Sequence, residues 1–243
     1  MDKNIILITP TGGRQIQINI CKQLMQQQTY PGKVVWIIID DCIPPTAEIP
    51  DDFKENWTII KKYPIPSWQN GQNTQARNIS VGINTLLANY KEEEIEGIFI
   101  IEDDDYYKPI YLERMMLRLN GFDIAGETNT IYYNVYYRTA VTNPNLRHAS
   151  LFQTAFTCKV IPLVKNSYPH RFMDCRIWEN AENKNLFQEG NLAIGIKGLP
   201  GRPGIGAGHS RWSNNIDINL NYLKSLIGED AKIYERYYCN IGM

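Results

Sequence analysis

No stretch of this chain stays apolar for the roughly 20 residues that a membrane-spanning helix needs. Its start, Met1-Asp-Lys-Asn4, lacks the basic and apolar regions of a secretory leader and runs straight into a strand-like segment. Cysteine is scarce: Cys21, Cys42, Cys158, Cys175 and Cys239 are odd in number, scattered, and form no Cys-X-X-Cys pair. That spacing excludes a zinc ribbon and points to reduced thiols. An excess of either charge is also missing, since 25 Lys and Arg face 26 Asp and Glu. The chain therefore has no global field for gathering nucleic acid or anionic lipid. Internal repeats and low-complexity linkers are absent too. These absences, with 43% hydrophobic and 21% charged residues among 243, lead us to expect one soluble, cytoplasmic globular domain with a sizeable core.

What the chain does have is centred on Gly97-Ile-Phe-Ile-Ile-Glu-Asp-Asp-Asp-Tyr106. Ile98 to Ile101 form an unbroken apolar run that reads as a strand buried on both faces. Four consecutive carboxylates, Glu102 to Asp105, follow at its carboxyl end, the edge of an open α/β sheet where ligands bind. Adjacent carboxylates raise one another's pKa and call for a counter-charge, most simply a divalent cation. A solvated acidic turn is the plainer alternative.

Buried-type strands are expected over 4–9, 34–39 and 58–63, and helices over 15–28 and 74–90 from apolar recurrences at three and four residues. The first strand is closed by Pro10-Thr-Gly-Gly-Arg14, a turn that can bring backbone N–H groups to a ligand. The second ends at Asp40-Asp41, so two acidic tips should share one edge of a parallel sheet. After the acid run, a helix is expected from Pro109 to Leu119, strands over 121–126, 129–138 and 150–157, and a short helix or turn over 158–165. A helix over 171–178 places Met173, Ile177 and Trp178 on one stripe and leaves Asp174 and Arg176 facing elsewhere. The last strand, 192–196, leads into a glycine-rich loop, 198–208, and one or two polar helices over 216–238. The tyrosines 132, 133, 136 and 137 suit cross-strand packing better than a sugar-stacking surface.

In this order, the Thr9-Pro10 tip, the Asp40-Asp41 end, the helix opening Thr-Gln-Ala-Arg77 and the acid cluster resemble the GT-A fold glycosyltransferases, family 2 in particular, from Asn4 to about Trp212. The resemblance implies an α/β fold with a mixed, mostly parallel central sheet flanked by helices. It divides a single catalytic domain, 1–243, into a nucleotide-sugar half (1–107), an acceptor and catalytic half (108–215) and a helical tail (216–243). It places Thr9, Pro10, Thr11, Arg14, Asp41, Arg77 and Asp103 around the donor nucleotide, with Asp41 at the base and Asp103 near the ribose. Asp104, Asp105 and His209 would hold Mn²⁺ or Mg²⁺, Asp104 most directly, although Glu102 stands where the family usually has Asp. Met173-Asp-Cys-Arg-Ile-Trp178 resembles the family segment that carries the general base, which maps it onto Asp174; an alternative alignment gives Glu179.

The chemistry implied is inverting, metal-dependent transfer from a nucleotide-sugar, a UDP-sugar first, to an unspecified hydroxyl on a glycan, lipid-linked sugar, protein or nucleic-acid base. A metal would stabilise the leaving diphosphate, and a carboxylate would take the acceptor proton. The alternatives are a nucleotidyltransferase, an enzyme glycosylating modified DNA bases, and a non-catalytic nucleotide- or sugar-binding module.

Overall fold

The computed structural model describes residues 3–168, 170, 172–202 and 215–237. The N-terminal part contains β1 (Asn4–Thr11), α1 (Gln15–Gln26), β2 (Lys33–Asp40), β3 (Trp57–Lys62), α2 (Gln75–Asn89) and β4 (Ile95–Ile100). After the acid run come β5 (Tyr106–Tyr107), α3 (Tyr111–Leu119), β6 (Ile124–Glu127), β7 (Thr130–Asn134) and β8 (Thr139–Asn143). Then follow β9 (Thr154–Phe156), α4 (Ile161–Asn166), α5 (Met173–Asn180), β10 (Lys184–Phe187), β11 (Ala193–Lys197) and α6 (Asn221–Ile227).

Seven strands form a sheet in the order β10-β6-β9-β4-β1-β2-β3. β1 pairs in parallel with both β2 and β4, and β2 with β3, while β9 runs antiparallel between β4 and β6. The sheet is thus mixed and mostly parallel. Because β2 and β4 flank β1 in the same direction, Asp40-Asp41 and the acid cluster emerge on one edge.

Alternation along the strands divides the core into two layers. Ile5, Leu7, Trp36, Ile38 and Phe99 face Ile18, Leu24 and Met25 of α1 and Leu112 and Met115 of α3. Ile6, Ile8, Val35, Ile37, Ile98 and Ile100 face Ile79, Ile83 and Leu86 of α2 and Met173, Ile177 and Trp178 of α5. Near-continuous apolar runs are what strands covered on both faces require. The stripe expected of α5 is therefore buried, and its other face is left for the site.

A second sheet, β5-β11-β7-β8, was not evident from the sequence. β5 has two residues, β8 exposes most of its side chains, and β10 has only one buried residue. Such edge segments bury too little to leave a period. The strand expected over 129–138 stops at Asn134, whose Oδ1 accepts hydrogen bonds from the backbone N–H of Tyr136 and Tyr137 and turns the chain back into β8. Tyr133 is buried with its hydroxyl donating to Asp217, whereas Tyr136 is exposed, so the four tyrosines do not form one surface. Leu220, Leu223, Ile227, Ala231 and Tyr234 pack the C-terminal segment into the first core layer.

Gly126 on β6 sets the seat of α5. A β-carbon there would lie 2.4 Å from Ala149 Cβ and 2.6 Å from Trp178 Cζ2. Gly126→Ala is expected to destabilise the fold by roughly 1–3 kcal/mol through overpacking, read as a lower denaturant midpoint with an unchanged m-value.

Candidate active site

At the shared edge, the Asp41 carboxylate is fully buried and gathers donors from two segments, α2 with its entry and the loop after β11. Its Oδ2 accepts from Thr74 Oγ1, from Asn78 Nδ2 at 2.8 Å and from Arg77 NH2 at 3.1 Å. Its Oδ1 accepts from Arg202 NH1 at 2.6 Å. The Arg202 guanidinium also lies 4.3 Å from the Trp68 ring centre, a cation–π contact. Gly12, at φ +141, lets the β1–α1 turn pass this close, since a β-carbon would sit 2.1 Å from Asp41 Oδ1. Asp40 serves the neighbouring loop, accepting from the backbone of Cys42, Thr46 and Ala47.

Beside this hub is a cleft of about 70 Å³ lined by Pro10, Thr11, Arg14, Thr74, Asn78, Glu102, Asp103, Asp104, Lys197 and Arg202, among others. Arg14 NH1 lies 3.1 Å from Asp103 Oδ1 and its NH2 2.8 Å from Asp104 Oδ2. Thr11 Oγ1 donates to Asp103 Oδ2 at 2.6 Å. Lys197, at the end of β11, brings its Nζ to 3.0 Å from Asp105 Oδ1 and 3.5 Å from Asp104 Oδ2. Asp105 Oδ1 also accepts from the backbone N–H of Ile196, which pins the second sheet to the acid run.

Burial works against charge throughout this cluster. It pushes the Glu102 carboxyl up to about 7, against the relief supplied by Lys197, and Asp103 up to about 6, against Arg14. Burial also lifts Asp105 well above the carboxylate range. Burial pulls on the Lys197 ammonium as well, but Asp104, Asp105 and Glu102 outweigh it and raise its pKa.

On the other side of Glu102 and Lys197 opens a cavity of about 530 Å³ lined by Tyr132, Val141, His148, Phe152, Phe172 and Asp174, among others. Gln75, Glu102 and Lys197 line both spaces and form the wall between them. Asp174 sits in the first turn of α5, its Oδ1 accepting from the Cys175 N–H at 2.9 Å. Ligand atoms of His148, Asp174 and Cys175 lie within 4.8 Å of one another, with the Cys175 sulfur 3.7 Å from His148 Nε2.

The expected residues separate into distinct positions. Pro10, Thr11, Arg14, Asp103 and Asp104 line the cleft. Asp41 and Arg77 stand behind it, reaching it through Thr74, Asn78 and Arg202. Thr9 is turned into the core, where its hydroxyl accepts from Trp36 Nε1 at 2.8 Å. Asp105 is fully buried and occupied by the second sheet. Asp174 lines the cavity, whereas Glu179 is exposed, one turn further along α5 and not among the lining residues. His209 lies outside the described residues. Lys197 carried no motif that could have marked it, and Arg202 only its place in a glycine-rich loop; Gln75 and His148 were equally silent.

A divalent cation can be tested against these groups. Oxygens of Glu102, Asp104 and Asp105 lie within 4.8 Å of one another, close enough for one ion to bridge. The same oxygens, however, already hold cations: Asp104 Oδ2 takes Arg14 and Lys197 together, and Asp105 takes Lys197. A resident dication does not fit this set without displacing Lys197, because three positive groups would crowd one carboxylate.

No protein-family model matches the sequence, and no curated protein matches it. Solved structures do match in fold. Staphylococcus aureus TarS 1–349 in complex with UDP-GlcNAc is 12% identical with a TM-score of 0.57, covering 87% of this chain and 62% of that one. The TarS 1–349 structure without that ligand is 13% identical with a TM-score of 0.56, covering 80% and 60%. The mannosyltransferase PcManGT from Pyrobaculum calidifontis, in complex with GDP-Man and Mn²⁺, is 11% identical with a TM-score of 0.50, covering 82% and 58%. The chain spans about 60% of the length of these structures. The likeness establishes the glycosyltransferase fold expected above. In addition, no helix among the described residues is long and apolar enough to cross a membrane.

The raised Glu102 has a consequence for stability. Its folded pKa, about 7, lies above the ordinary 4.5, so the fold favours the protonated form. That contribution is complete below the ordinary value and is lost as pH rises through the folded one. Thermal melts of wild type and Glu102→Gln are expected to diverge between about pH 4.5 and 7, with wild type losing stability relative to the variant.

Proposed function

We propose that this chain is a glycosyltransferase that moves a sugar from a nucleoside diphospho-sugar to an acceptor hydroxyl with inversion at the anomeric carbon. The observation that carries this reading is the pair of spaces sharing one wall: a charged cleft with Arg14, Lys197 and Arg202 beside Glu102, Asp103 and Asp104, and a larger, partly apolar cavity lined in part by Asp174. The cleft receives the diphosphate and the cavity the acceptor, so the sugar lies across Gln75, Glu102 and Lys197. Residues 1–107 then act as the donor half and 108–215 mainly as the acceptor half of one catalytic unit, with Lys197 and Arg202 reaching back to the cleft. UDP is the first choice of nucleotide, supported by the resemblance and by the UDP-GlcNAc complex of a fold neighbour. A base reaching Asp41 would take the place of Arg202 on Oδ1 and could stack on Trp68.

The reaction needs a base on the face opposite the leaving group. Asp174 removes the acceptor proton as the hydroxyl oxygen bonds to the anomeric carbon, while the carbon–oxygen bond to the diphosphate breaks and its electron pair passes to the diphosphate. Asp174 is in the cavity, and the exposed Glu179 is outside it. The cavity wall, with Tyr132, Phe152 and Phe172 beside Ser150, Asn143 and Asn145, suits an acceptor with one apolar face and a few hydroxyls. Mn²⁺ or Mg²⁺, implied by the resemblance and supported by the Mn²⁺ of the mannosyltransferase neighbour, would have to displace Lys197 from Asp104 and Asp105.

Asp174→Asn is expected to lower kcat by about 10²–10⁴-fold with donor affinity unchanged, whereas Glu179→Gln should transfer at the wild-type rate. Nucleoside diphosphate release in the presence of an acceptor panel, together with calorimetric donor binding, measures both. Full activity of Asp174→Asn would remove it from the base role.

A further inference from the structure

We propose that this chain supplies the counter-charge for the leaving diphosphate from its own side chains, Lys197 and Arg14, and works without a divalent cation. The inference rests on the donor reading above and goes beyond it. Its ground is the occupation of the acid cluster. Asp104 is the carboxylate of the expected metal pair that lines the cleft, and its Oδ2 is shared by Arg14 NH2 at 2.8 Å and Lys197 Nζ at 3.5 Å. Asp105, the other expected carboxylate ligand, is fully buried and holds Lys197 at 3.0 Å.

Both cations are built into the fold. The Lys197 side chain is 9% exposed and that of Arg14 14%, and each is anchored by two carboxylates. Asp105 Oδ1 accepts from both the backbone N–H of the preceding residue, Ile196, and the Lys197 ammonium, each at 3.0 Å, so one carboxylate oxygen holds strand and side chain together. A buried charge is retained only when it is paired. Here the pairing fixes two positive groups in the lining of one cleft, Arg14 from the β1–α1 turn and Lys197 from the end of β11.

Both cations also have donors to spare. An ammonium has three N–H groups; Lys197 donates one to Asp105 Oδ1 at 3.0 Å and keeps Asp104 Oδ2 as an ion-pair partner at 3.5 Å. A guanidinium has five N–H groups, and Arg14 places NH1 on Asp103 and NH2 on Asp104, so each of these nitrogens carries a second N–H. As the glycosidic bond breaks, the electron pair left on the diphosphate oxygen would be met by these preorganised N–H groups. Charge-assisted donors of this kind are the strongest partners a protein can offer a phosphate. Asp103, Asp104 and Asp105 would then hold the two cations in place, and the ligand set of a metal would not be needed.

The deciding experiment is calorimetric titration of UDP, and of GDP in parallel, into the full chain in excess EDTA and in excess MnCl₂. The expected result is binding of one nucleotide in EDTA with a Kd within about threefold of that in Mn²⁺, a difference under 1 kcal/mol. Binding seen only with Mn²⁺ would overturn the inference and leave the donor reading standing. Binding of neither nucleotide in either buffer would overturn both.

Two further measurements bear on it independently. Mn²⁺ alone, followed by the loss of its free-ion EPR signal, should remain unbound by wild type and become bound by Lys197→Ala, in which Asp104 and Asp105 are released. Lys197→Ala should also lose about tenfold in UDP affinity in EDTA, the scale of one charge-assisted hydrogen bond, with recovery when Mn²⁺ is added. Tight Mn²⁺ binding by wild type, or undiminished UDP binding by a folded Lys197→Ala in EDTA, would refute the assignment. Should Lys197→Ala not fold, the two wild-type titrations decide the matter alone.

Discussion

The buried ion pair between Lys197 and Asp104–Asp105 is the joint on which the rest of the molecule depends. The large sheet delivers four acids at the end of β4, and the small sheet delivers an ammonium at the end of β11. Neither end is tolerable alone, since burial opposes an isolated charge of either sign. Together, with Arg14 arriving from the β1–α1 turn, they join the two sheets and shape the wall shared by cleft and cavity. Such a pair adds little net stability against an apolar alternative, but removing one partner is costly. Its contribution is to fix position, and the position it fixes is that of the site.

A second hub repeats the arrangement at Asp41. One carboxylate holds Thr74 and Asn78 from α2 and its entry, Arg77 from the same helix, and Arg202 from the loop after β11. The cleft thus has cations on two sides, each tied to a buried acid at its back. This is preorganisation in the electrostatic sense: the dipoles and charges are oriented before an anionic group arrives. It also explains how a near-neutral chain can gather three cations, Arg14, Lys197 and Arg202, around one cleft.

The strands and main helices were legible because their burial is extreme. Val34 to Ile39 and Ile98 to Ile101 have no polar interruption, and the stripes of α1, α2 and α5 recur at helical spacing. β5, β8 and β10 escaped, being two to five residues long and partly exposed. Within the site, the turn Pro10 to Arg14 and the acids 102–105 could be read because consecutive residues of one type at a strand end form a pattern. Lys197 could not: it is a single lysine at the end of an ordinary strand, and its partners are more than 90 residues away. The family resemblance places Thr9 and Asp105 in the site, and the structure gives each another partner. Strand alternation turns Thr9 inward, and the second sheet claims Asp105.

What the sequence determined by itself is the kind of sheet and the edge at which its acids collect, because hydrophobic period and chain direction are local properties read over a few residues. Which cations meet those acids was decided only by tertiary structure. A salt bridge depends on where two distant strands end in space, and nothing in the local pattern of either strand encodes the other. The placement of Asp174 and Glu179 is of the same kind: they lie five residues apart on one helix, and the seat of α5 on the sheet puts Asp174 in the lining of the cavity and leaves Glu179 exposed.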